Sequence, residues 1–104
     1  MTTREYPHDI EAERSLLGAM LISKDICIDI LNKTVEDDFY DINHQNIFKA
    51  MAAINEDGMP VDVTTVTSYL MDHNQLDKVG GVDYLFRLSE SVPTVAHSEY
   101  YLKI

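Results

Sequence analysis

The stretch "DDFYDINHQNIFKAMAAIN", residues 37–55, joins an acidic, aromatic segment to a strongly periodic one. In its second half, apolar residues recur at the spacing i, i+1, i+4 and i+7 of one helix face: Ile47, Phe48, Met51 and Ile54. This spacing predicts a helix over residues 44–55, with Asn43 as its N-cap. Gly58 and Pro60 follow, so we expect a left-handed glycine cap and then a proline stop.

The acidic first half admits more than one interpretation. Four side chains there could form a metal site or an acid–base pair: Asp37, Asp38, Asp41 and His44. Metal ligands on a helix need to be three or four residues apart on one face, but a cap at Asn43 leaves Asp41 outside the helix. Aromatic residues in a connecting loop usually fill the core beneath it. The sequence therefore favours a loop anchored by Phe39, with its acids near a helix N-terminus. A metal-dependent enzyme built on this cluster is the less favoured alternative.

Two helices are predicted upstream. Pro7 and Asp9 open the first, whose apolar stripe has helical spacing: Ile10, Leu16, Leu17, Met20 and Leu21. A glycine inside a helix costs up to ~1 kcal/mol relative to alanine, so Gly18 suggests that another helix crosses closely there. Ser23 can cap a second, short helix over residues 24–34. Alternating isoleucines in that segment also permit a strand, but a lone strand is not stable, and we predict a helix.

Further helices are predicted downstream. Asp62 is the expected N-cap of a helix over residues 63–73, and residues 74–81 are interpreted as a turn region. The next predicted helix, residues 82–92, presents one apolar face: Val82, Leu85, Leu88 and Val92. Pro93 and Thr94 break it, and a sixth helical pattern begins in residues 95–104. The sequence predicts an all-α fold, a compact bundle of five to six short helices. Five residues are expected to share one core: Leu17, Phe39, Ile47, Phe48 and Leu85.

Composition limits the functional classes. The chain has 104 residues, which fits one domain, and its formal charge of −10 repels phosphate, so direct nucleic-acid binding is disfavoured. The excess of acids either favours a partner with a basic surface or simply maintains solubility. The single cysteine, Cys27, lies among apolar residues and is expected to be a buried small hydrophobe, which fits a cytoplasmic protein. No signal peptide or membrane span is evident.

Sequence signatures of catalysis are absent from this chain. No serine lies in a G-x-S-x-G elbow, and no G-x-x-x-x-G-K-[ST] phosphate loop occurs. We therefore expect no enzymatic activity, no cofactor and no metal in this chain, and predict a binding or scaffolding module. Because Ile104 has no cap behind it, we also expect the chain to be a piece of a longer protein.

Five blocks resemble the N-terminal domain of DnaB-type replicative DNA helicases. They are "IEAERSLLGAML" (10–21), "DDFYDINHQNIFKAM" (37–51), "GMPVDVTTVTSYL" (58–70), "GGVDYL" (80–85) and "SVPTVAHSEYYLKI" (91–104). The blocks span nearly the whole chain, and they are jointly rather than individually specific. Two positions depart from the pattern: His97 stands where asparagine is common, and Leu102 stands where alanine is common.

The resemblance implies a role in DNA replication. The parent protein would be an ATP-driven helicase that forms a six-membered ring around single-stranded DNA, with its P-loop, ATP and Mg²⁺ in a motor domain absent from residues 1–104. The present domain would lie in the N-terminal collar, with a linker helix starting at about 94–104. There it would support ring assembly and bind primase and, in some systems, a helicase loader. The alternative is a stand-alone helical adaptor or regulatory domain.

A partner contact is predicted on the helix at 82–92. At about 100° per residue, Tyr84 and Phe86 lie on opposite sides of Leu85, so both cannot face the core. Surface aromatics are common binding anchors. Asp83, Tyr84 and Phe86 are therefore the candidate partner-binding residues, with Tyr84 expected to face solvent. The alternative is that Tyr84 packs on a neighbouring helix with only its hydroxyl exposed.

Overall fold

The computed structural model describes residues 9–91, and every regular element in that range is helical. The elements are α1 (Ile10–Ile22), α2 (Lys24–Lys33), a 3₁₀ turn (Glu36–Asp38), α3 (Ile42–Glu56), α4 (Val63–Asp72), α5 (Leu76–Val79) and α6 (Gly81–Glu90). The predicted all-α class is confirmed, and the isoleucine-rich segment after Ser23 is a helix rather than a strand. The predicted pattern at 95–104 lies outside the described residues.

Side-chain caps define where the helices begin. Ser23 and Asp62 accept hydrogen bonds from backbone amides in the first turns of α2 and α4, as predicted, and Asp9 does the same for α1. The prediction for α3 is wrong: its N-cap is Asp41, whose Oδ1 accepts from the backbone amides of Asn43 at 2.8 Å and His44 at 3.2 Å. An aspartate caps as well as an asparagine, so the helix starts two residues earlier than predicted, and His44 is the third residue of its first turn.

Glycines end two of the helices. Gly58 has a φ of +78°, and the backbone amides of Gly58 and Met59 bond to the carbonyls of Asn55 and Ile54, which is the predicted left-handed cap of α3. Gly80 has a φ of +114°, and a Cβ there would lie 2.8 Å from the Cβ of Tyr84. Glycine at residue 80 therefore allows the chain to enter α6 tightly.

The segment interpreted as a turn region at 74–81 contains one helical turn, α5. Val79 is buried in this turn, and Leu76 packs against the core. Four residues are too few to show helical periodicity, so the sequence pattern did not reveal it.

The five predicted core residues do share one hydrophobic cluster. The rings of Phe39 and Phe48 lie 5.1 Å apart between centroids at an angle of 41°, which is a favourable tilted contact. Phe39 thus fastens the loop before α3 to the core, as the favoured interpretation of residues 37–48 expected. Gly18 is buried in α1, which packs most extensively against α6 and α2. No helix within residues 9–91 is long and apolar enough to cross a membrane.

Candidate partner-binding surface and the polar network behind it

Helix α6 has a buried face and an exposed face. Leu85 and Leu88 are buried, as predicted, whereas Val82 was assigned to the core and is 38% exposed. Val82 and Phe86 are one helical turn apart, and Phe86 is 52% exposed. We call the exposed side of this helix the α6 outer face; its residues are Val82, Asp83, Phe86, Arg87 and Glu90. Val92, the last predicted member of the apolar stripe, lies outside the described residues.

Tyr84 does not face solvent as predicted. Its ring is half-buried and packs against the hydrophobic core, and its hydroxyl lies 2.5 Å from Nε2 of His44 on α3. The two rings are stacked, with centroids 5.9 Å apart. The alternative, in which Tyr84 packs on a neighbouring helix, is what the structure shows, except that the hydroxyl bonds to His44 on α3. Of the two aromatics, Phe86 is the exposed one.

His44 is the centre of a buried polar network. Its side chain is 1% exposed, and Nδ1 lies 2.8 Å from Oε1 of Glu13 on α1. An ionised carboxylate can only accept, so Nδ1 carries a proton and donates a hydrogen bond to Oε1 of Glu13. In the neutral imidazole Nε2 then accepts from the hydroxyl of Tyr84. One histidine thereby joins α1, α3 and α6.

Glu13 connects this network to the loop before α3. Its Oε2 accepts from the backbone amide of Tyr40 at 2.7 Å, and its Oε1 accepts from that of Asp41 at 3.4 Å. Arg14 is the next residue on α1. Its pKa is raised chiefly by the nearby Tyr84 hydroxyl, with a smaller contribution from Glu11. We call Glu13, His44 and Tyr84 the polar network.

The geometry of the polar network suits a structural role. Both ring nitrogens of His44 are occupied by protein partners, and the side chain is buried, so a substrate has no access to it. Directional bonds of this kind fix how one helix is rotated against another. The network therefore holds the Tyr84 side of α6 against α1 and α3 and leaves the α6 outer face exposed.

The aspartates near His44 have separate structural contacts. Asp38 accepts from the backbone amide of Val35 at 2.9 Å, and Asp41 caps α3. Asp37 is exposed. Across residues 9–91, no group of three or more His, Cys, Asp or Glu side chains is arranged to hold a metal ion.

Cys27 is buried on α2, as predicted from its apolar neighbours. Burial raises the pKa of its thiol to about 11. The reactive thiolate is therefore scarce at neutral pH, and Cys27 acts as a packing residue.

The sequence contained one overlooked signal for the network. His44 precedes Ile47, Phe48 and Met51 by three, four and seven residues, so it belongs to the buried face of α3. A histidine on such a face requires a polar partner. The identity of that partner had no local signal, because Glu13 and Tyr84 are 31 and 40 residues away in sequence.

Known proteins provide an independent comparison. Residues 5–104 match the family described as DnaB-like helicase N terminal domain. The replicative DNA helicase DnaC of Bacillus subtilis is 43% identical over 98 residues, and the replicative DNA helicase DnaB of Geobacillus stearothermophilus is 42% identical over 98 residues. Each alignment covers 94% of this chain but 22% of the relative.

A solved structure has the same fold. The crystal structure of the N-terminal domain of DnaB helicase from Mycobacterium tuberculosis superposes with a TM-score of 0.88 at 40% identity, and the match covers 93% of this chain and 69% of that one. The resemblance inferred from the five sequence blocks is confirmed. With the family match, the sequence identity and the helical fold in agreement, this chain belongs to the family of N-terminal domains of DnaB-type replicative DNA helicases.

Proposed function

We propose that this domain is the collar of a hexameric, ATP-dependent replicative helicase, where it supports ring assembly and binds primase during DNA replication in the cytoplasm. The observation that carries the proposal is that nearly the whole chain matches a helicase N-terminal domain, while it spans about a fifth of the curated helicases to which it aligns. Binding of a helicase loader is a further role of the same collar. These functions require partner surfaces rather than catalytic groups.

The sequence lacks the motifs of nucleotide hydrolysis, which supports the proposed non-catalytic role. The chain has no P-loop, so ATP and Mg²⁺ would be bound by a separate motor domain of the parent protein. The formal charge of −10 disfavours contact with the DNA backbone. Unwinding chemistry would therefore lie in the motor, and this domain would bring other proteins to it.

The α6 outer face is the proposed primase contact. Phe86 offers an exposed aromatic ring that can bury a large area with few rotamers, and Val82 extends the apolar surface by one turn. Asp83 is exposed next to Val82 and would orient a basic group of the partner. Tyr84 contributes by holding α6 in place through the polar network rather than by direct contact.

A pull-down on immobilised primase tests the proposal. The full-length parent helicase should be retained by primase, and deletion of residues 1–104 should abolish retention while the motor still hydrolyses ATP. The purified 104-residue chain should show no ATP turnover with single-stranded DNA. Retention of the deleted helicase, or DNA-stimulated ATP hydrolysis by the isolated chain, would contradict the proposed division of labour.

A further inference from the structure

A second surface lies between α2 and α3, where a groove of about 520 Å³ opens to solvent. One wall is the end of α2 and the loop that follows, including Leu31 and Val35. The other wall is one face of α3, on which Lys49, Ala52, Ala53 and Glu56 recur at i, i+3, i+4 and i+7. We call this surface the α2–α3 groove. It includes no residue of α6, so it is separate from the α6 outer face.

The more buried part of the groove lining is mostly apolar, and Asn32, Thr34 and Asn55 add polar groups. Phe48 lies at the bottom, Ala52 and Ala53 are half-buried on one side, and Val35 is 59% exposed on the other. Helix axes pack 8–10 Å apart depending on the side chains between them, and alanines allow the closest approach. The α3 wall therefore suits a second helix that inserts larger apolar side chains toward Phe48 and Val35.

The rim of the groove is acidic. Glu36 and Glu56 border it and Lys49 is its one lining cation, while Asp37 and Asp57 are exposed at the next positions in sequence. Lys33, at the end of α2, is already paired with Asp29 at 3.1 Å. The acids at the groove and the formal charge of −10 favour a basic partner there over the same acidic groove of a second copy.

From this combination we infer that the α2–α3 groove docks an amphipathic helix of a partner protein, with apolar residues on one face and lysines or arginines on the other. The mostly apolar, more buried part of the lining supplies the contact area, and the acidic rim selects the charge of the partner. This inference does not depend on the primase contact at the α6 outer face.

Peptide titration of the 104-residue chain, followed by amide chemical shifts, tests the inference. The probe is a synthetic helix of about five turns with leucines on one face and lysines on the other. One control peptide has the same composition with the leucines scattered around the helix. A second control replaces every lysine by glutamate. The expected result is saturable binding of the probe alone, with the largest shifts at residues 31–36 and 49–56.

Two variants of the chain locate the binding. Ala53→Arg should weaken binding of the probe by at least about tenfold, because the arginine fills the groove and adds a positive charge. Ser68→Arg is the control, since it makes the same charge change on the exposed side of α4. It should change the affinity for the probe by less than about twofold. Val35→Ser, in an exposed loop, should weaken binding by about fivefold without endangering the fold.

Several results would overturn the inference. They are equal binding of either control peptide, shifts that centre on α6, equal effects of the two arginine variants, or an affinity unaffected by Val35→Ser. Lack of saturable binding by the probe would also overturn it.

Discussion

Two buried regions of the molecule meet on α3 but are held together by different physics. Phe48 lies in an apolar cluster, where the contacts are non-directional and the stabilisation is distributed over many neighbouring residues. His44, four residues earlier, depends on two specific partners on two other helices. The two regions therefore have different roles. The apolar cluster supplies most of the stability, and the polar network sets the orientation of α6.

The difference matters for function because α6 carries the proposed partner surface. A helix held only by Leu85 and Leu88 could rotate a little around its apolar stripe, since hydrophobic contact is non-directional. The bond between Tyr84 and His44 removes that freedom. Phe86 is then held on the opposite side of the helix, facing solvent.

The largest expected effect is in the apolar cluster. Phe48→Ala should lower the free energy of unfolding by ~3–5 kcal/mol because it leaves a cavity beside Phe39. Phe86→Ala is the matched control at an exposed ring, and it should cost less than about 0.5 kcal/mol. Urea denaturation measures both, and a loss below about 1 kcal/mol for Phe48→Ala would show that this ring is not a main support of the core.

A smaller but more specific effect is expected in the polar network. Glu13→Ala should cost about 2–3 kcal/mol because it leaves the His44 Nδ1–H and the amides of Tyr40 and Asp41 without their acceptor. Glu11 is also an acid in the first turn of α1, but it is exposed and makes only a surface ion pair with Arg14. Glu11→Ala should therefore cost about 0.5 kcal/mol or less. Equal losses in the two variants would mean that Glu13 acts only through the helix dipole.

Alkaline pH should lower the stability of the fold because the buried thiol of Cys27 ionises more readily in the unfolded chain. Its pKa is about 11 in the folded protein, against 9.0 for an unperturbed thiol. The thiolate therefore forms more readily in the unfolded chain, and the contribution of Cys27 to stability is complete below pH 9.0 and is lost as the pH rises toward 11. The stability difference between wild type and Cys27→Ala should shrink across that range in chemical denaturation. A difference that stays constant would contradict the burial of the thiol.

The smallest expected effect is a gain in stability. The hydroxyl of Thr67 on α4 is buried and, within the described part of the chain, has no hydrogen-bond partner. Thr67→Val keeps the β-branched shape and removes the unsatisfied group, so it should raise the free energy of unfolding by up to about 1 kcal/mol. A loss of stability in thermal unfolding would show that the hydroxyl does find a partner.

Sequence periodicity predicted most of the fold because the apolar cluster is built from helix faces. Ile47, Phe48, Met51 and Ile54 could be assigned to the core from spacing alone, and Asp62 could be identified as a cap from its position. The polar network could not be predicted, because its bonds join residues that are distant in the chain. The same limitation explains the error at Tyr84, whose orientation depends on His44 rather than on its neighbours in α6.

The affinity of the full-length helicase for primase most directly tests the roles proposed for the two aromatics, with Phe86 contacting the partner and Tyr84 orienting α6. Phe86→Ala should weaken primase binding by about tenfold or more while leaving thermal stability unchanged. Tyr84→Phe removes only the hydroxyl, so it should lower stability by about 1 kcal/mol and weaken primase binding less than Phe86→Ala does. If Phe86→Ala binds primase like the wild type in intact rings, the α6 outer face is not the primase contact, and the account of why the polar network orients this helix is wrong.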